Sequence, residues 1–198
     1  MVKAIIFDIG GVIYDINGIA KEYSILCKKV KIVGEAPWKD FREEWNKTKI
    51  NQMSCLGFYK IIADKLKVSN NEIKSIFINN VKIDYDMKKL ILKLKENYKI
   101  EILSNIISDL LIKDLELWNF KQIAKVVTSC EDKVKKPDTE AINLIINKLK
   151  VKKEEVIFID DSKKTIEAYS KLGIKCILFE NKNQLIKELN KLGVQSTV

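Results

Sequence analysis

Five short apolar runs rich in β-branched residues constrain this chain more than any other feature: Lys3–Phe7, Lys99–Leu103, Lys125–Thr128, Glu155–Ile159 and Ile174–Phe179. Each has the length of a strand and is too short to span a membrane. The last four are separated or followed by amphipathic segments of helical period, Ile107–Trp118, Thr139–Leu149, Lys164–Leu172 and Gln184–Leu192. A helix between two strands makes the connection a crossover, and crossovers join parallel neighbours. The pattern therefore predicts an α/β fold with a doubly wound parallel sheet.

Between the first and second strands the pattern changes. Helical periods recur near Ile19–Val30, Trp38–Lys47, Ser54–Leu66 and Asn71–Asn79 with no strand pattern among them, and Tyr85–Glu96 then leads into the second strand. With 198 residues, 46% of them hydrophobic, the chain is long enough for one core and a smaller appendage. We expect residues 1–14 and 83–198 to form the core and residues 15–82 a helical cap inserted after the first strand.

Composition narrows the chemistry. The chain has no histidine, and its four cysteines, Cys27, Cys55, Cys130 and Cys176, include no C-x-x-C pair, which removes zinc clusters and Ser-His or Cys-His catalysis. Buried reduced thiols are the expectation for the cysteines. The net charge of +9 is almost wholly lysine, because Arg42 is the only arginine. Scattered lysines without arginine forks argue against nucleic acid as a partner, while a diffuse positive field draws in small anions. The N-terminus reaches the acidic Asp8 within eight residues, unlike a signal peptide, so the expected location is cytoplasmic, with no membrane partner.

The residues with chemical potential fall just after strand ends, where a parallel sheet has its ligand crevice. The first strand delivers Asp8 ahead of Gly10-Gly11, a pair that permits a tight turn. The second ends in Ser104-Asn105, and the fourth in Asp160-Asp161-Ser162. Lys136-Pro137-Asp138 precedes a helix, with Pro137 suited to its first turn. Taken singly, Ser104, Asp138 and Asp161 could be helix caps, Lys136 a solvated cation and Asp8 a turn former. Together, a hydroxyl, a cation and several carboxylates at strand ends make a phosphate and metal site.

These segments, in this order, resemble the four motifs of the haloacid dehalogenase superfamily: Phe7-Asp8-Ile9-Gly10-Gly11-Val12, Leu103-Ser104-Asn105, Lys136-Pro137-Asp138 and Phe158-Ile159-Asp160-Asp161-Ser162. The resemblance implies a Rossmann-like core with a C1-type cap. It also implies a Mg²⁺-dependent phosphatase acting on a small phosphorylated metabolite through an aspartyl-phosphate. Asp8 would be the nucleophile, and Ser104, Asn105 and Lys136 would hold the phosphoryl group. Asp8, the Gly10 carbonyl and Asp161 would hold the metal, with Asp160 close by or acting through water. Ser104 and Lys136 would complete the catalytic set.

Two positions depart from the family pattern. The aspartate that commonly stands two residues after the nucleophile, and serves as general acid and base, is Gly10 here, as in a subset that includes sugar-1-phosphate phosphatases. An ester with a good leaving group is the expected substrate. Thr165 stands where an asparagine often occurs. The alternatives are a catalytically weakened binding or regulatory protein and a haloacid dehalogenase. For specificity the candidates are Tyr14, Trp38, Arg42 and Trp45, although the i, i+3, i+7 spacing of Trp38, Phe41 and Trp45 predicts a core stripe.

Overall fold

A computed structural model describes residues 1–195, apart from the side chain of Leu115. In chain order the elements are β1 (Ala4–Phe7), β2 (Tyr14–Asp15), α1 (Asn17–Lys29), α2 (Pro37–Asp40), α3 (Arg42–Lys49), α4 (Cys55–Leu66), α5 (Asn70–Asn79), β3 (Lys82–Ile83) and α6 (Tyr85–Leu94). They continue with β4 (Lys99–Ser104), α7 (Ser108–Leu117), β5 (Lys125–Thr128), α8 (Ser129–Asp132), α9 (Thr139–Leu149), β6 (Val156–Asp160), α10 (Lys163–Ser170), β7 (Lys175–Leu178) and α11 (Lys182–Lys191). Five strands form one sheet in the order β5-β4-β1-β6-β7, with every pairing parallel. This is the doubly wound Rossmann-like core that the strand and helix periods predict.

Side chains alternate across the sheet, so each strand feeds two faces. Ile5 and Phe7 of β1 join a core with Ile100, Ile102, Ile157 and Ile159, covered by Met87, Leu90 and Ile91 of α6 and by Leu185 and Leu189 of α11. Ala4 and Ile6 point the other way, into a separate cluster with Val127, Phe158, Ile142 and Ile145 of α9, and Tyr169 of α10. All four β1 residues are fully buried, as the middle strand of a sheet covered on both faces should be.

The helices between β1 and β4 follow the expected order, with one difference. The segment expected as Trp38–Lys47 is two helices broken at Phe41, whose φ of −125° and ψ of 52° lie outside the helical region. Ser54 and Ser69 cap α4 and α5 by accepting from the main-chain N–H groups of Gly57 and Glu72. The aromatic rings of Trp45, Phe58, Tyr59 and Phe77 pack together above the Ile5 and Phe7 face and belong to the same core. The sequence pattern missed β2 and β3, which pair antiparallel where the chain leaves for these helices and where it returns.

All four cysteines are free thiols, three of them buried and Cys176 half-buried. Among the described residues no helix is long and apolar enough to cross a membrane.

Candidate active site

The register of the sheet brings the chemistry together. Phe7 is level with Ile102 of β4 and Ile159 of β6, so Asp8, Ser104 and Asp160 emerge side by side at the carboxyl ends of three adjacent strands. The main chain turns sharply after Asp8, with the Ile9 carbonyl accepting from the N–H groups of Ile13 and Tyr14 at 2.8 and 2.9 Å. Gly11 has a φ of +79°, and a β-carbon on it would stand 2.1 Å from Asp161 Oδ2. A bare backbone at Gly11 is thus what lets the Asp161 carboxylate close over the turn. Gly10 is different, because its φ is not positive and a β-carbon there would meet only Ile16, at 3.4 Å.

Three donors converge on one oxygen of Asp8. Oδ1 accepts from the Ile9 N–H at 2.7 Å and the Ser104 hydroxyl at 2.8 Å, and lies 2.7 Å from Lys136 Nζ. Lys136 also lies 2.6 Å from Asp160 Oδ2, and its side chain is 4% exposed. Burial alone would push the Lys136 ammonium down, but the carboxylates of Asp8 and Asp160 outweigh it and hold the pKa above the ordinary lysine value. Asp160 spends its other oxygen on the Ser162 N–H at 2.8 Å.

Lys136 owes its position to Asn105. The Asn105 amide donates to the Lys136 carbonyl and accepts from the Lys136 N–H, both at 2.8 Å, clamping the loop before α9 against the end of β4. The Asn105 side chain therefore spends one amide N–H and one oxygen lone pair on this loop. Pro137 lies in the turn ahead of α9 and not in its first turn, because Asp138 occupies the N-cap position. Neither Ser104 nor Asp161 is a cap, since Ile107 is the N-cap residue of α7 and the Ser162 side chain caps α10 through the Thr165 N–H.

Asp8, Asp160 and Asp161 each offer a carboxylate oxygen, and these oxygens lie within 4.8 Å of one another. Burial, then the charge of Asp8, raises the pKa of both Asp160 and Asp161. Three carboxylates thus face one ammonium, and Asp161 has no ion pair among the described residues. Such an oxygen-rich donor set with surplus negative charge fits a hard dication.

Two recesses meet at Asp8. One, of about 450 Å³, runs under the helices between β1 and β4 and is lined by Trp38, Trp45, Tyr14 and Lys49 as well as Asp8, Gly10, Ser104 and Asp161. The other, of about 420 Å³, is polar and carries Lys49, Lys135, Lys136, Lys164 and the buried Thr165. Of the expected aromatic stripe only Phe41 is buried, whereas Trp38 and Trp45, on the two helices that the break at Phe41 separates, are half-buried at the cavity. Arg42 is exposed and lines neither recess. Lys49, the room that Gly11 leaves for Asp161 and the clamping role of Asn105 were not expected from the sequence.

A family model described as haloacid dehalogenase-like hydrolase matches residues 5–179. A comparison with curated proteins finds no match. Among solved structures, a HAD family enzyme from Bacteroides thetaiotaomicron, in complex with magnesium and inorganic phosphate, superposes with a TM-score of 0.73 at 20% identity, covering 93% of this chain and 99% of that one. The L-2-haloacid dehalogenase of Xanthobacter autotrophicus gives 0.65 at 17% identity over 96% and 83% of the two chains. A HAD phosphatase from Thermococcus onnurineus gives 0.64 at 16% identity over 99% and 100%. At these identities the likeness is one of fold.

Proposed function

The chain belongs to the haloacid dehalogenase-like hydrolases, and from that premise we propose that it is a Mg²⁺-dependent phosphatase that hydrolyses a small phosphate monoester through an aspartyl-phosphate. The observation that carries this reading is the surplus carboxylate. A dehalogenase working without metal has no use for Asp161 beside Asp8 and Asp160, whereas a metal site requires it. Residues 15–82 then act as the cap, and residues 1–14 with 83–198 as the catalytic core.

Asp8, the Gly10 carbonyl and Asp161 would hold the metal. Asp160 supports it from behind, since its two oxygens already engage Lys136 and the Ser162 N–H. When bound, Mg²⁺ supplies charge neutralisation for the phosphoryl group. Asp8 attacks phosphorus, the bond to the ester oxygen breaks, and the alcohol leaves as its anion and takes a proton from solvent. Water then attacks the aspartyl-phosphate at phosphorus, releasing phosphate and regenerating the Asp8 carboxylate. Ser104 and Lys136 hold Asp8 in orientation in the resting site, and Lys136 offsets charge on the phosphoryl oxygens as they develop. Ser104 and the main chain of Asn105 supply further donors to those oxygens.

Lacking an acid at Gly10, the enzyme suits esters whose alcohol leaves readily. The direct test is turnover of an aryl phosphate with Mg²⁺, with chelator and with Asp8→Asn. Activity should need Mg²⁺ and fall by at least about 10³-fold in the variant, because an amide is not a competent nucleophile. Wild-type protein with no Asp8-dependent turnover on any phosphate ester would instead indicate a binding protein.

A further inference from the structure

We propose that the leaving group this enzyme accepts is apolar and flat, the alcohol of an aryl or similarly hydrophobic phosphate monoester, and not a polyol. The proposal rests on the phosphatase reading above and deepens it.

The cavity that opens from Asp8 divides by chemistry. Its polar side chains, Asp8, Ser104, Asn105, Asp161 and Ser162, belong to the phosphoryl end. Beyond them the walls are Ile16, Ile19, Trp38, Trp45, Val81 and Leu110. Tyr14 contributes its ring, because its hydroxyl is turned away to donate to the Asp114 carboxylate. Lys49 and the indole N–H groups of Trp38 and Trp45 are the remaining polar groups on its side chains, and they offer donors only.

A sugar placed here would bury several hydroxyls among side chains that offer donors and, beyond the phosphoryl end, no acceptor. Each hydroxyl buried without a partner costs about 1–3 kcal/mol, a penalty that selects against polyols. A ring of phenyl size loses nothing by leaving water and gains contact with two indoles. At about 450 Å³ the cavity is large enough for such a group together with the phosphoryl moiety. An independent observation agrees: the residue at position 10 is glycine, so the leaving oxygen receives no proton from the usual place. Phenols, more acidic than sugar or alkyl alcohols, depart without that help.

Non-hydrolysable phosphonates separate binding from leaving-group acidity. With Mg²⁺ present, calorimetric titration should show phenylphosphonate binding about 30-fold tighter than methylphosphonate and 2,3-dihydroxypropylphosphonate, equivalent to about 2 kcal/mol. Leu110→Asn and, as a second variant, Trp38→Ala should cut that preference to about threefold or less while leaving methylphosphonate unchanged. A dihydroxypropyl compound that binds as tightly as the phenyl one, or a preference that survives both substitutions, overturns the inference and leaves the phosphatase reading standing. If neither inorganic phosphate nor any of the phosphonates binds, the phosphatase reading falls and this one with it.

Discussion

At position 10 a missing carboxylate separates two kinds of chemistry. General acid–base help is worth roughly 10²–10⁴-fold, so its loss is felt in proportion to how poorly the alcohol leaves. Across substituted phenyl phosphates the wild-type rate should climb steeply with leaving-group acidity, and a burst of alcohol should precede a slow steady state, because the aspartyl-phosphate also lacks a base to activate water. Gly10→Asp should flatten the slope and shorten the burst, since a β-carbon there meets only Ile16 at 3.4 Å. A flat wild-type dependence would mean that another group supplies the proton. The next glycine behaves oppositely. Gly11→Ala would drive a methyl to within 2.1 Å of Asp161 Oδ2 at a φ of +79°, so we expect metal affinity to fall by about tenfold or more, measured by Mg²⁺ titration of activity or tryptophan fluorescence. An unchanged Mg²⁺ midpoint would remove Asp161 from the metal site. Asp8, Ser104, Asp160 and Asp161 were legible in the sequence because each ends or follows a strand of clear period, and Lys136 because it precedes a helix of clear period. Gly11 and Asn105 act on residues over 30 to 150 positions away, through backbone contacts that no local pattern encodes.

Strands and helices with a strong hydrophobic period were legible to within a residue or two: β5 and α9 have the bounds the sequence predicts. Those that escaped are short or are set by distant contacts. A two-residue strand such as β2 or β3 has no period, and α8 is a single turn held where the Ser129 hydroxyl accepts from the Ile106 N–H. The break at Phe41 separates α2 from α3, and it brings Lys49 to the cavity at the end of α3. Within β4 a polar side chain interrupts the apolar run. Glu101 is 5% exposed, its Oε2 has no hydrogen-bond partner among the described residues, and burial pushes its carboxyl up to about 7. A raised folded-state pKa means that stability is fully present below the ordinary value near 4.5 and is lost as pH rises through about 7. Glu101→Gln should therefore melt above the wild type at pH 8 and lose that advantage by pH 4.5. Thermal unfolding across this range that shows a constant difference would contradict the assignment.

For the whole molecule, charge and packing are unevenly distributed. The net charge of +9 includes Lys49, Lys135 and Lys164 around the polar recess, none of them paired with a carboxylate among the described residues. Burial, then these neighbours, depresses Lys49 to about 8, a sign of how closely positive charge is gathered there. For a dianionic ester, kcat/KM should fall several-fold between roughly 0.02 and 0.3 M ionic strength, as the screening length contracts below about 10 Å, while kcat changes little. Stopped-flow or steady-state kinetics over a salt series would decide it, and a salt-independent kcat/KM would rule out steering. The packing asymmetry has a different consequence. Ile5 and Phe7 share one core with Phe58, Tyr59 and Phe77, whereas Ala4 and Ile6 pack with α9 and α10 in a cluster that contains none of the inserted helices. Over evolutionary time the two sides of the sheet are therefore under different constraints. Substitutions on the α9 and α10 side are expected to accumulate independently of the helices between β1 and β4, while those on the Ile5 and Phe7 side are expected to covary with them.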